Sequence, residues 1–76
     1  MIYTDGIHIA SDFSVLELHA FAKAAGLKKC WFHWNQRHSH YDKPKGYPVA
    51  ALLAVGAIRV ASKELVKRCF QRQTGW

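Results

Sequence analysis

The chain has 76 residues, half of them apolar, with three Trp, three Tyr and four Phe. That is one domain, residues 1–76, too hydrophobic to be disordered, and at this size only about 60% of the unfolded surface is buried, so a metal, ligand or partner would add useful stability. Eleven Lys and Arg against five Asp and Glu give a net charge of +6, which attracts phosphate groups of nucleic acid, nucleotides or anionic surfaces, although a merely soluble basic surface has the same composition.

The opening "MIYTDGIHIAS" has strand character at Ile2, Tyr3 and Thr4. Asp5-Gly6 reads as a turn or bulge, after which Ile7, His8 and Ile9 alternate. If Ile7 and Ile9 face the core, His8 faces the other way. "FSVLELHAFAKAAGL" follows. Ser14 and Glu17 form a Ser-x-x-Glu capping box, Phe13 and Leu18 stand where a hydrophobic staple would, and Gly26 supplies a left-handed stop. A helix over about residues 15–25 is predicted, with Val15, Leu18, Phe21, Ala22 and Ala25 on its buried face. His19 lies at the margin of that stripe, beside Val15 and Lys23.

"CWFHW", residues 30–34, is a short aromatic strand candidate. Residues 35–46 are polar, contain Pro44 and Gly46, and read as a loop or irregular extended segment. Pro48 suits the first turn of a second helix, roughly 48–55, closed by Gly56. "AIRV" is a further strand. Ser62 then caps a last helix, "KELVKRCFQR". Its inner face is Leu65, Val66, Cys69 and Phe70, and its outer face is basic, with Lys63, Lys67, Arg68 and Arg72. Cys30 and Cys69 are too far from a Cys-x-x-Cys pattern to suggest a redox motif and read as two reduced, buried thiols. No apolar run is long enough for a membrane span. "MIYTDG" lacks the pattern of a secretory signal, so the chain reads as cytoplasmic.

Strands alternating with helices predict a small α/β domain. The expected core is a three- or four-stranded parallel or mixed sheet with three helices. In parallel α/β sheets, ligands bind beyond the carboxyl ends of the strands. That rule places the loop after "CWFHW" near a site.

The loop carries "RHSHYDKPK". In an extended segment, residues two apart share a side, so His38, His40 and Asp42 can converge on one ion. Imidazole with carboxylate suits zinc, manganese, iron or nickel, and His8, His19 or Asp5 can complete the sphere. A metal-free alternative is general acid–base cleavage of a phosphodiester by His and Asp, with Arg37, Lys43 and Lys45 holding phosphate oxygens. A third is binding alone, with Trp31, Trp34 and Tyr41 stacking on bases. A plain polar loop, and core packing for Trp31 and Phe32, explain the same residues without function.

"IYTDGIHIASD", "ELHAFAKAAGL", "WFH", "HYD" and "GAIRVASKEL" together resemble domain of unknown function family 4031, a family of bacterial and phage proteins. The resemblance runs from Ile2 to about Leu65. Its pattern maps onto Asp5, His8, His19, His40, Tyr41 and Asp42. His33 lies outside it and His38 belongs to it loosely. Many relatives carry a longer segment before the His8 position, which makes Asp5-Gly6 the insertion point. The resemblance implies a small α/β protein, often from phages or prophages, and no particular activity. It shifts the expected metal set to His8, His19, His40 and Asp42, with Asp5 joining them as a candidate catalytic residue and Tyr41 as a phosphate or nucleic-acid contact. A phage setting also admits a protein-binding module that inhibits a host factor without catalysis.

Overall fold

The structure, a computed structural model, describes residues 1–34 and 39–70. Five short strands form one sheet: β1 (Ile2–Thr4), β2 (His8–Ser11), β3 (Phe32–His33), β4 (His40–Asp42) and β5 (Ile58–Arg59), in the order β3-β4-β2-β1-β5. Three helices accompany them: α1 (Val15–Ala25), α2 (Val49–Val55) and α3 (Ser62–Leu65), the last running on as a wider π-helical segment, Val66–Phe70. The α/β class and the mixed sheet are as expected. Among the described residues the strand count is five rather than three or four, because "HYD" pairs as a strand. Only β1 and β5 are parallel; the other neighbours are antiparallel.

Register decides which side chains meet, since residues directly opposite in an antiparallel pair project from the same face. Ile9 stands opposite Tyr41, and Tyr41 opposite Phe32. This face receives α1 and α2 and holds the larger core, with Ile2, Ile9, Leu18, Phe21, Tyr41 and Leu52. The other face carries Tyr3 and Ala10, packed on Leu65 and Cys69. His8 opposite Asp42, and His33 opposite His40, extend that second face toward the β3 edge.

Helix α1 starts as its sequence suggests: the Ser14 hydroxyl accepts the Glu17 N–H at 3.0 Å. Gly26 (φ +76°) ends it, its N–H meeting Ala22 and Lys23 carbonyls. The reciprocal half of the capping box is absent. The Ser14 N–H goes to the Ser11 hydroxyl at 3.1 Å, while the Glu17 carboxylate takes the amino terminus at 2.9 and 3.0 Å and the Ser11 hydroxyl. The staple is absent too, for Leu18 is buried but Phe13 is 73% exposed.

Other expectations need correction. Ile7 is exposed, because the turn at 5–7 delays β2 to His8. "CWFHW" splits into a 3-10 turn, Lys29–Trp31, and the two-residue β3. Pro48 occupies the capping position of α2 rather than its first turn. Ser62 lies inside α3, with Ala61 at the cap. Val66 is exposed, since Leu65 and Cys69, four apart, take the inward positions. Cys30 is exposed and Cys69 buried, and neither is in a disulfide. Residues 71–72 of the predicted last helix lie outside the described residues. Among the described residues, no helix is long and apolar enough to cross a membrane.

Candidate metal centre

The site begins at the β1–β2 turn. The Asp5 Oδ1 accepts the Ile7 N–H at 2.9 Å and the His8 N–H at 2.7 Å. Its Oδ2 meets the His8 Nδ1 at 3.1 Å and accepts the Ser62 hydroxyl at 2.8 Å. Thr4 closes the turn from the other side, donating its hydroxyl to the His8 carbonyl at 2.8 Å and accepting the Gly6 N–H at 3.1 Å. Gly6 has φ +98°, where a side chain would be strained. The His8 backbone and ring are thus held together by one carboxylate.

The Asp5 side chain is only 2% exposed. Burial pushes its pKa up, but hydrogen bonds from the His8 backbone and ring, Ile7 and Ser62 outweigh that and hold it well below the usual carboxylate range. The sign of the consequence follows. A depressed folded-state pKa adds stability above the unfolded value of about 3.9, and this is lost as pH falls through the folded value. Asp5→Asn is therefore expected to lower the melting temperature most near pH 6–7, with the gap to wild type narrowing steadily toward about pH 2. A gap that stays constant across the pH range would show that Asp5 does not titrate in this way.

A proton on His8 Nδ1, shared with Asp5, leaves Nε2 as the basic nitrogen of the neutral ring, a tautomer assigned from the hydrogen bond. Across the sheet, the His8 and His40 rings meet edge to face with centroids 5.2 Å apart. Asp42 ends β4 on the same face. Its Oδ1 lies 3.2 Å from His40 Nε2 and its Oδ2 2.9 Å from His33 Nε2. The His33 and His40 rings stack at 5.5 Å, and Phe70 flanks His40 at 5.9 Å.

His8, His40 and Asp42 each offer one ligand atom, all within 4.8 Å of one another. Bonds of about 2.0–2.2 Å to zinc in a tetrahedral site place ligand atoms about 3.4 Å apart, so modest side-chain rotation would close the set around an ion. Two histidines and a carboxylate leave coordination positions open, as catalytic centres do. Asp5 behind His8 supplies the carboxylate–histidine support that orients a ligating imidazole. The cluster is partly accessible: Asp42 is 44%, His8 41% and His40 19% exposed.

The other predicted site residues fare differently. His19 does not join the cluster. It belongs to α1, on the opposite face of the sheet, and its Nδ1 lies 2.7 Å from the Tyr41 hydroxyl. Tyr41 is fully buried, so it cannot stack on a base, because its neighbours His40 and Asp42 occupy the outward-facing side of the same strand. Lys43 is not free to funnel phosphate: its ammonium donates to the Tyr47 carbonyl at 2.7 Å. Lys45 is exposed. Arg37 and His38 lie outside the described residues. Trp31 packs partly against the larger core.

His33 is the residue the sequence reading passed over. The signal was present: if "FH" and "HYD" are a hairpin, aligning Phe32 with Tyr41 sets His33 beside His40. The sequence around Ser62 signals only a helix cap, and no local pattern links it to Asp5, 57 positions away.

The fold and site define a class: a small α/β protein whose mixed sheet presents a histidine–aspartate cluster on one face. The family model described as "Protein of unknown function (DUF4031)" matches residues 4–72, and the chain belongs to this family. No curated protein and no solved structure matches it.

Proposed function

We propose that the His8–His40–Asp42 cluster binds a divalent cation such as zinc and acts on a phosphate-containing ligand, a nucleic acid or nucleotide. The observation that carries this is three ligand atoms within 4.8 Å of one another, one of them on a histidine already oriented by a buried carboxylate. A bound ion would neutralise phosphate charge and lower the pKa of a water toward about 7. His33, at the rim with its Nε2 2.9 Å from Asp42, would exchange a proton with a leaving oxygen in this reading. The net charge of +6 favours the polyanion. The phage or prophage origin implied by the family resemblance, and a cytoplasmic setting, go with this reading.

The test is hydrolysis of bis(p-nitrophenyl) phosphate and of single-stranded oligonucleotides, with chelator and with added zinc or manganese. Metal-dependent turnover that disappears in His40→Ala, while cooperative unfolding is retained, is the expected result. Turnover indifferent to chelator and to His40→Ala would contradict it. Where oligonucleotide is bound but not cut, affinity should still fall steeply with salt as counterions are released.

A second reading, a phage-encoded module that binds and inhibits a host factor, is supported by Phe13 and Leu16. They are 73% and 80% exposed and lie three positions apart on either side of the Ser14 cap of α1. It predicts capture of one host protein from nuclease-treated lysate at high salt, lost in a Phe13→Ser, Leu16→Ser variant.

A further inference from the structure

The face of the sheet opposite the metal cluster has a cleft of about 330 Å³, lined by His19, Ala20, Lys23, Leu27, Lys29 and Tyr41. Its volume is at the lower end of the range that small-molecule sites occupy, suited to one ring and one polar head. Ala20 and Leu27 give it apolar wall. The charged residues that line it, Lys23 and Lys29, are both cationic.

The Tyr41 hydroxyl, buried at the base, has the His19 Nδ1 as its hydrogen-bond partner at 2.7 Å. A phenol hydroxyl both donates and accepts; the pair is assigned with the hydroxyl donating to Nδ1, which puts the ring proton of neutral His19 on Nε2. Phe32 lies against the imidazole at 4.6 Å and Tyr41 meets it edge to face at 5.7 Å, which fixes the ring plane. Among the described residues, His19 Nε2, Lys23 and Lys29 have no hydrogen-bond or ion-pair partner, and no carboxylate lines the cleft. A histidine and two lysines therefore line a largely apolar hollow that no carboxylate shares.

We propose that this cleft is a second binding site, independent of the metal cluster, for a small phosphate monoester with an apolar body. The dianionic head sits between Lys23 and Lys29 and accepts the His19 N–H, and the body lies on Ala20 and Leu27. Charge-assisted hydrogen bonds give the head its preference, and the apolar wall selects against bare phosphate.

The test is a titration of isotope-labelled protein with phenyl phosphate, in buffer containing EDTA, followed by nuclear magnetic resonance. Inorganic phosphate and benzyl alcohol serve as the head-only and body-only probes. Expected is saturable one-site binding that moves the His19 ring and the Ala20 and Leu27 amides. The double substitution Lys23→Gln, Lys29→Gln changes only exposed side chains, and it should weaken binding at least about tenfold, the loss of one charge-assisted bond or more. Each separate probe should bind at least about tenfold more weakly than phenyl phosphate. Absence of saturation, equal affinity for inorganic phosphate or benzyl alcohol, unchanged affinity in the double variant, or shifts confined to His8, His40 and Asp42 would each overturn the proposal.

Discussion

Asp42→Asn is expected to remove divalent-cation affinity while leaving the domain folded. Asp42 is the only carboxylate among the three ligand residues, and an amide brings neither its charge nor its basicity. Changes to residues that merely support a metal ligand cost 10–100-fold in affinity, so loss of this ligand should cost about 100-fold or more. The stability effect should be small. Asp42 is 44% exposed, its contacts to His33 and His40 span 2.9 and 3.2 Å, and exposed ion pairs contribute about 0–1 kcal/mol. Competition with a chelating indicator gives the first quantity and urea unfolding the second. A variant that loses several kcal/mol of stability yet keeps its metal affinity would make Asp42 a structural fastener.

The second large effect is on folding. Leu18 is completely buried in the larger core. Truncating such a leucine removes its transfer energy and leaves a cavity, at a cost of about 2–5 kcal/mol. Domains this small hold little more than about 5 kcal/mol in total. Leu18→Ala is thus expected to be largely unfolded at physiological temperature. Leu16→Ala, two positions away and 80% exposed, should fall within about 0.5 kcal/mol of wild type. Urea unfolding of the pair, followed by circular dichroism, checks both. Equal, small effects would mean that α1 does not dock through Leu18.

What the sequence disclosed follows the range over which each signal acts. Helix α1 was legible because its cap, its apolar spacing and its glycine stop are local. The placement of His40 and Asp42 on one side followed from the period of an extended chain. Strand β4 was hidden because it is three residues long, and its identity rests on partners in β2 and β3 that no local pattern names. His19 shows the limit most clearly. A position at the margin of a helical stripe says that a side chain reaches an edge, but not which face of the sheet that edge serves. The parallel-sheet rule does not apply to the stretch it singled out, since β3 and β4 pair antiparallel. Phe13 had the spacing of a staple, yet spacing does not require the chain to turn inward there.

The central claim is that β2 and β4 bring His8, His40 and Asp42 together to hold one cation. The most direct measurement is anomalous diffraction at the zinc edge from crystals grown with zinc. One peak should lie about 2.0–2.2 Å from a ring nitrogen of His8, a ring nitrogen of His40 and an Asp42 carboxylate oxygen, with Asp5 still on the His8 Nδ1. A map with no peak between those three side chains, or with zinc held elsewhere while they keep their separation, would contradict the account.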